Sequence, residues 1–232
     1  MTEKKTETVL LITVLATIFA IVLVRTAWLS DDAYITFRTV DNFVHGYGLT
    51  WNVVERVQAF TDPLWMFLLS AFYFLTRQIY FTALGLSIVI SISVFILSGA
   101  ATSKNSLSLA IGLTILVLSK AFVEYSTSGL ENPLSHLLLI LFLFLYFRFI
   151  DRITVRRLFW LGLIAALATV NRVDTVLFYI PALIYAALRL HDRKAVIIIL
   201  VSFLPLIAWE IFSHFRYSIR ALSRSPRPVY WK

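Results

Sequence analysis

The sequence predicts an all-α fold: a polytopic bundle of transmembrane helices with a helical or irregular first outer loop. Two observations carry this prediction. Apolar residues make up 59% of the 232 residues and charged residues only 15%, and the mean hydropathy is +0.83, well outside the usual balance of soluble domains. The apolar residues are also gathered into about seven or eight separate runs, several of which have the roughly 20 residues that a helix needs to cross a bilayer.

The composition also excludes several classes of function. The chain has no cysteine, which rules out disulfides, thiolate metal ligands and cysteine nucleophiles. The net charge of +8 is not the footprint of a nucleic-acid partner, because the Lys and Arg residues lie in short clusters between apolar runs and in the tail, as topology signals do. We therefore expect the lipid bilayer, and no nucleic acid, as a partner.

The first apolar run, Val9–Leu29, is predicted to be a retained transmembrane helix. It is too long for the apolar core of a secretory signal peptide, and no small-residue cleavage pattern precedes Asp31. These runs define a transmembrane domain over residues 1–212, with an outer loop at 30–62, followed by a basic tail at 213–232. The later runs that we expect to be helical are Pro63–Leu75, Ile79–Ala101, Ser106–Val123, Pro133–Ile150, Leu158–Val170, Thr175–Leu188 and Ala195–Phe212.

The distribution of Lys and Arg predicts the orientation of the bundle. The connections Asp151–Arg157 and Arg189–Lys194 are rich in basic residues and are expected in the cytoplasm. The connections with acids in excess, 31–62 and 124–133, then lie outside. Asn171–Asp174 lies between the two cytoplasmic connections and is therefore also outside. We expect these three polar segments to meet at one face of the membrane.

This topology requires one element that does not span. Three apolar runs separate 31–62 from 124–133, and three full crossings would put these two segments on opposite sides. Pro63–Leu75 is short for a span, so we expect it to be a half-helix or re-entrant element on the outer face. The alternative is that one of the other two runs does not cross.

An acidic pair, Asp31 and Asp32, opens the outer loop directly after the first helix. Two adjacent acids in this place can be a solvated stop signal. An Asp at a partly desolvated membrane surface can instead serve as a general base. Carboxylates also bind magnesium, calcium or manganese, so Asp31 and Asp32 are the ligands to expect if a divalent cation is a cofactor.

Three arginines of the outer segments are candidate ligands for a phosphate: Arg38, Arg56 and Arg172. A guanidinium pairs bidentately with phosphate oxygens and stays charged beside lipid. Each of them can alternatively reach toward lipid headgroups or pair with an acid such as Glu55 or Asp174. For Arg172, which lies in Asn-Arg-Val-Asp between two short runs, we favour a role in the site.

Glu131 is a further carboxylate on the expected outer face. It precedes Asn132 and Pro133, which suit the start of a helix, so Glu131 can simply favour the helix N-terminus electrostatically. As an alternative, Glu131 supports the site together with Glu55 and Asp174.

Several motifs occur in a fixed order along the chain. Residues 31–38 read DDAYITFR, 46–49 read GYGL, 61–65 read TDPLW, 128–134 read SGLENPL and 171–174 read NRVD. Together they resemble the first outer loop and two later motifs of the bacterial GT-C glycosyltransferases. The likeness is greatest to the group that contains the mycobacterial terminal arabinofuranosyltransferases. The first loop is fairly specific, whereas the two later motifs are weak by themselves.

The resemblance implies a function, partners and a location. Such enzymes take a sugar from a polyprenyl-phosphate carrier and add it to a glycan of the cell envelope, at the extracytoplasmic face of the bacterial inner membrane. An Asp of the first loop is their catalytic base. The implied reaction here is an inverting transfer with Asp31 or Asp32 as the base. The implied ligands of the donor phosphate are Arg38, Arg56 and Arg172.

Relatives in this group are usually much longer. The likeness fades near Glu210, and residues 213–232 contain five basic residues and no acid. We therefore expect a truncated or frameshifted N-terminal part that is catalytically incomplete by itself; a natural short protein is the rival interpretation. The alternatives in function are a non-catalytic accessory membrane subunit and a flippase or transporter of lipid-linked sugars, which would favour charged residues in the middle of the membrane.

Overall fold

The computed structural model describes residues 2–55, 57–102 and 106–218. Within these ranges the chain is helical and contains no β-strand, so the predicted all-α membrane bundle is confirmed. Short 3₁₀ turns lie at Ile150–Arg152 and Val173–Thr175, and a π-helical turn lies at His214–Ser218. The α-helices are α1 (Thr2–Arg25), α2 (Ala33–Val44), α3 (Pro63–Thr76), α4 (Ile79–Thr102), α5 (Ser106–Leu118), α6 (Lys120–Tyr125), α7 (Asn132–Phe149), α8 (Val155–Asn171), α9 (Val176–Leu190), α10 (Lys194–Ser202) and α11 (Leu204–Ser213).

All eight predicted apolar runs are largely helical in the structure. Not all of these helices are long enough to cross a bilayer alone. Helices α10 and α11 meet at an angle of 48°. Together they are long and apolar enough to form one further span if the bent pair crosses the membrane as a unit. The bend lies at Phe203, just before Pro205, whose nitrogen cannot donate the hydrogen bond that would continue the helix. The four described segments with the length and hydropathy of a span are Thr6–Arg25, Ile79–Ala101, Asn132–Arg152 and Val173–Leu190.

The predicted run Ser106–Val123 is not one helix. The structure divides it at Ser119, whose side chain accepts a hydrogen bond from Phe122 N at 3.4 Å and so caps α6. With 13 residues in α5 and 14 in α3, both helices are too short to span a bilayer alone. Each is therefore a candidate for the element that the topology requires not to cross.

Two hydrophobic clusters organise the bundle, and α4 belongs to both. The larger cluster unites α2, α3, α7, α8, α9 and α10 around buried side chains such as Trp65, Phe142 and Tyr179. The smaller cluster gathers α1, α5 and α6. In it, Phe19 of α1 stacks on Phe95 of α4 with the ring centroids 4.7 Å apart. Helix α4 thereby connects the first helix to the rest of the bundle.

The outer loop consists of α2 and an irregular segment that folds back onto it. Asn42 donates from Nδ2 to the backbone oxygens of Thr50 at 2.8 Å and of Trp51 at 3.0 Å. Arg38 donates from Nε to the same Trp51 oxygen at 2.9 Å. These bonds satisfy backbone carbonyls that have no helical partner, and they hold the irregular segment against α2 on its way to α3.

The last described residues lie against this outer loop. Ser213 Oγ donates to Gln58 Oε1 at 2.6 Å, and Tyr217 Oη donates to Leu49 O at 2.8 Å. Helix α11 therefore brings the beginning of the predicted basic tail to the side of the outer loop. Residues 219–232, which hold most of the charge of that tail, lie outside the described residues.

The loop between α6 and α7 contacts both the segment between α1 and α2 and helix α3. Ser30 N donates to Ser128 O at 2.8 Å, and Trp65 Nε1 donates to Gly129 O at 2.9 Å. Gly129 has a φ of +79°, in the left-handed region that glycine adopts at least cost. The loop can therefore present two neighbouring carbonyls to two different elements.

We expect Gly129→Ala to destabilise the protein more than Gly46→Ala. Both glycines have left-handed backbones, with φ of +79° and +84°, so both substitutions lose a similar conformational advantage. Only at position 129 would the new Cβ be crowded, at 2.7 Å from Leu29 Cδ2 and 3.0 Å from Ala33 Cβ; overpacking of this kind costs about 1–3 kcal/mol. Thermal unfolding in detergent should show the larger fall in Tm for Gly129→Ala, and equal falls would contradict the crowding.

Candidate functional site

Three polar segments meet at a cavity of about 460 Å³. The first segment contributes Asp32 at the start of α2 and Asp62 directly before α3. The second contributes Glu131 before α7, and the third contributes Arg172 and Asp174 between α8 and α9. Residues that are far apart in the sequence thus line one wall.

Three of these carboxylates occupy equivalent positions. Asp32, Asp62 and Glu131 directly precede α2, α3 and α7, and none of the three makes a side-chain capping hydrogen bond to its helix. The partial positive charge of a helix N-terminus favours a negative group at this place. Because these side chains do not cap the backbone, their oxygens make other contacts: Glu131 accepts a hydrogen bond from Arg172, and Asp62 accepts from Thr36.

Arg172 is held by two of the acids. Its Nη1 donates to Glu131 Oε1 at 3.0 Å, and its Nε donates to Asp174 Oδ1 at 2.9 Å and Oδ2 at 3.1 Å. The hydrogen bond that Arg172 donates to Asp174, together with the charge of Glu131, raises the pKa of Arg172 against the opposing effect of burial. Arg172 is therefore a permanent cation at the edge of the cavity, with 48% of its side chain exposed.

Asn171 fixes the position of this ion pair. It is fully buried, and its Nδ2 donates to the backbone oxygen of Glu131 at 3.2 Å and to Ser135 Oγ at 2.9 Å. Helix α8 ends here because the next residue, Arg172, adopts an extended conformation with φ −159° and ψ 114°. The change from helix to extended backbone places the guanidinium of Arg172 beside Glu131.

Asp62 is the most deeply buried acid of the described cavity wall, with 3% of the residue exposed. The hydroxyl of Thr36 donates to both of its carboxylate oxygens, at 3.0 Å and 3.2 Å. Burial first, and then the negative charge of Glu131, raise the pKa of Asp62 to about 7, although the hydrogen bond from Thr36 opposes this shift. Asp62 therefore exchanges a proton near neutral pH.

The structure separates the acidic pair of the outer loop. Both residues are exposed, but Asp32 lines the cavity, whereas Asp31 accepts a hydrogen bond from Ser30 Oγ at 3.4 Å and does not line it. Of the two predicted catalytic acids, Asp32 is the one placed to reach a molecule in the cavity. The backbone of Asp32 is helical, with φ −60° and ψ −31°, and side chains of adjacent residues in a helical backbone point about 100° apart.

The described residues contain no group of three or more His, Cys, Asp or Glu side chains that could hold a metal ion. A divalent cation bound by Asp31 and Asp32 stays a prediction of the sequence.

Other predicted site residues are not brought to the cavity. Arg38 donates to the backbone of Trp51, and its guanidinium lies 4.8 Å from the centre of the Trp51 ring. Glu55 accepts a hydrogen bond from Asn52 Nδ2 at 3.1 Å. Arg38 and Glu55 therefore stabilise the outer loop rather than line the site. Arg56 lies outside the described residues, and its contact with a phosphate stays a prediction.

The sequence analysis did not single out Asp62 or Asn171. The available signal for Asp62 is the Asp-Pro pair that opens an apolar run: Pro63 sets the first turn of α3, so the residue before it lies at the positive end of the helix. For Asn171 there is no comparable signal, because only its burial between two helices gives its amide a role.

No family model matches the chain, and no solved structure matches it. One curated relative is the terminal β-(1→2)-arabinofuranosyltransferase of Mycobacterium tuberculosis, 29% identical over 118 residues. Another is the protein of the same name from Corynebacterium glutamicum, 30% identical over 114 residues. The chain resembles terminal arabinofuranosyltransferases.

The resemblance expected from the motifs is thereby confirmed over part of the chain. The match covers 46% and 47% of this chain, but 19% and 17% of the two arabinofuranosyltransferases. The chain thus spans about a fifth of the length of these curated relatives.

We expect Asp62→Asn to remove a pH dependence of stability from this arabinofuranosyltransferase-like chain. The pKa of Asp62 in the folded protein, about 7, lies above the ordinary value of 3.8, so the folded state holds this proton more tightly than the unfolded state. The stabilisation is complete at acid pH and is lost as the pH rises from about 4 to about 7. Asn keeps the size of the side chain but never ionises.

The measurement is the Tm in detergent at about pH 5 and about pH 7.5. Relative to the wild type, Asp62→Asn should gain stability at the higher pH. Asp31→Asn, which changes the exposed acid next to Asp32, should keep the wild-type dependence of Tm on pH. An unchanged profile in Asp62→Asn would show that the buried carboxyl does not titrate in this range.

Proposed function

We propose that this chain forms the outer-face site of a membrane glycosyltransferase, which takes a sugar from a polyprenyl-phosphate donor and adds it to a cell-envelope glycan. The observation that carries the proposal is the single cavity in which Asp32, Asp62, Glu131, Asp174 and Arg172 meet. The names of the curated relatives support the class of reaction and make arabinofuranosyl the first sugar to test. The proposed location is the bacterial inner membrane, with the cavity on the extracytoplasmic side.

Asp32 is the proposed catalytic base. Its carboxylate takes the proton of the acceptor hydroxyl while that oxygen forms a bond to the anomeric carbon of the donor. The bond between the anomeric carbon and the phosphate oxygen breaks, and the polyprenyl phosphate leaves with the bonding electrons. Attack on the face opposite the leaving group inverts the configuration. The base and the phosphate ligand must therefore lie on opposite sides of the sugar.

Arg172 is the proposed ligand of the donor phosphate. Glu131 and Asp174 bind its Nη1 and Nε and thereby fix the plane of the guanidinium. Its Nη2 has no hydrogen-bond partner among the described residues and can donate to a phosphate oxygen. A cation that is already oriented stabilises the negative charge that develops on the leaving group without a cost of reorganisation.

The position of the acids favours transfer over transport. A transporter of lipid-linked sugars is expected to carry charged groups at the middle of the membrane, in interrupted helices. Here Asp32, Asp62 and Glu131 directly precede helices, and Asp174 lies at the very start of the candidate span Val173–Leu190 rather than at its middle. This arrangement suits chemistry at a membrane surface.

Asp32→Asn is expected to reduce sugar transfer by about 10²–10⁴-fold, the usual contribution of a general base. Asp31→Asn, which changes the adjacent acid outside the cavity, should transfer sugar at close to the wild-type rate. The measurement is the transfer of labelled arabinofuranose from a polyprenyl-phosphate donor to a glycan acceptor in membranes that contain the chain.

The outcomes of this assay distinguish the alternatives. Full transfer by Asp32→Asn would contradict its assignment as the base. A wild-type chain that binds the donor without transferring the sugar would match the expectation of catalytic incompleteness or an accessory subunit. Movement of the intact donor across the bilayer would instead favour a flippase.

The orientation of the chain can be tested with single cysteines, since the natural chain has none. His45 and Arg193 are both exposed and lie in connections that we expect on opposite sides of the membrane. In intact cells an impermeant thiol reagent should label His45→Cys, and it should label Arg193→Cys only after permeabilisation. Labelling of position 45 from the cytoplasmic side alone would reverse the orientation.

A further inference from the structure

The cavity carries more negative charge than suits a phosphate site. Among the lining residues that the structure describes, Arg172 is the one cation, and there are four acids. If all four are ionised, four negative charges and one positive charge leave −3. A sphere of 460 Å³ is about 10 Å across, roughly one Debye length at 0.1 M salt. A phosphate anywhere in the cavity therefore interacts with every one of these acids.

The acids differ in how well their charge is stabilised. Glu131 and Asp174 are paired with Arg172, and Asp32 is exposed to water. Asp62 is buried, and the side chain that donates to its two oxygens among the described residues is the neutral hydroxyl of Thr36. An ionised carboxylate without a cation partner is costly to bury. Asp62 is therefore the acid of this wall that is most readily neutralised.

We propose that Asp62 is the proton-binding carboxyl of the donor site: it takes up one proton from solvent when the donor phosphate binds, and its O–H then donates a hydrogen bond to a phosphate oxygen. This inference rests on the proposed function, because it assumes a donor that bears a phosphate. Protonation removes one negative charge and provides a second hydrogen-bond donor besides Arg172. When the phosphate leaves, the proton returns to solvent.

The charged surroundings of Asp62 favour this exchange. The negative groups of the cavity favour the protonated form of Asp62, and a bound phosphate adds to their effect. The positive charge of Arg172 favours the ionised form instead, but this charge is already paired with Glu131 and Asp174. Since the pKa of Asp62 is already raised to about 7, a small further shift changes its protonation at neutral pH. The charged groups that face the cavity with Asp62 are Asp32 before α2, Glu131 before α7, and Arg172 and Asp174 after α8.

The test measures the binding of farnesyl-phosphoryl arabinofuranose to the full chain in nanodiscs. This probe is a phosphodiester, so its single negative charge does not change between about pH 5.5 and pH 8.5. The Kd of the wild type should rise with pH, approaching about tenfold per pH unit above neutrality, as expected for the uptake of one proton. Calorimetry in two buffers of different ionisation enthalpy should detect that proton directly, at about one per donor bound.

Two variants separate Asp62 from other titrating groups. Asp62→Asn should bind the probe with a Kd that changes less than about twofold over the same range and should take up no proton. Thr36→Val removes the hydrogen bond that favours the ionised form, so its pH profile should move to higher pH. Asp151→Asn, an exposed acid of the expected cytoplasmic side, should keep the wild-type profile.

The negative outcomes are distinct. A wild-type Kd that does not vary with pH, or the same slope in Asp62→Asn as in the wild type, would overturn the role of Asp62 while leaving the proposed function intact. Absence of proton uptake in calorimetry would do the same. No binding of the probe by the wild type at any pH would overturn both this inference and the proposed donor.

Discussion

The ion pair between Glu131 and Arg172 is the contact on which the arrangement of the site depends. It joins the start of α7 to the end of α8 at 3.0 Å, with 11% of the Glu131 side chain exposed. A carboxylate at this depth is poorly solvated without its partner, so Glu131 restricts where the guanidinium can lie. Asn171 reinforces the same junction with neutral hydrogen bonds to the backbone of Glu131 and to Ser135.

A second set of contacts brings the first outer loop to this ion pair. The carbonyls of Ser128 and Gly129, just before Glu131, accept hydrogen bonds from Ser30 N and Trp65 Nε1. The short loop between α6 and α7 thus positions both ends of the segment that carries the candidate base and the buried acid. An exposed acid and a buried acid are suited to the two different tasks that we propose for them: accepting a proton from the acceptor, and holding a proton beside the donor.

The fold was largely accessible from local sequence properties. Run length and hydropathy predict helices correctly because a bilayer-spanning or buried apolar helix needs little information beyond its own composition. The predicted helices differ from the structure where a single polar residue or proline interrupts an apolar run. Ser119 begins a new helix by capping it, and Pro205 bends the final pair. A hydropathy profile is an average over a window of many residues, so the effect of one residue on the course of a helix does not appear in it.

The sequence by itself determined the class of fold, the likeness to arabinofuranosyltransferases and the polar segments from which the site is built. Only the tertiary structure decided which residues of those segments face the cavity. It selected Asp32 over Asp31, assigned Arg38 to the outer loop and added Asp62 to the wall. The reason is that burial and charge depend on contacts between distant segments. The hydrogen bond from Thr36 to Asp62, for example, joins residues 26 positions apart, and no local sequence pattern encodes such a contact.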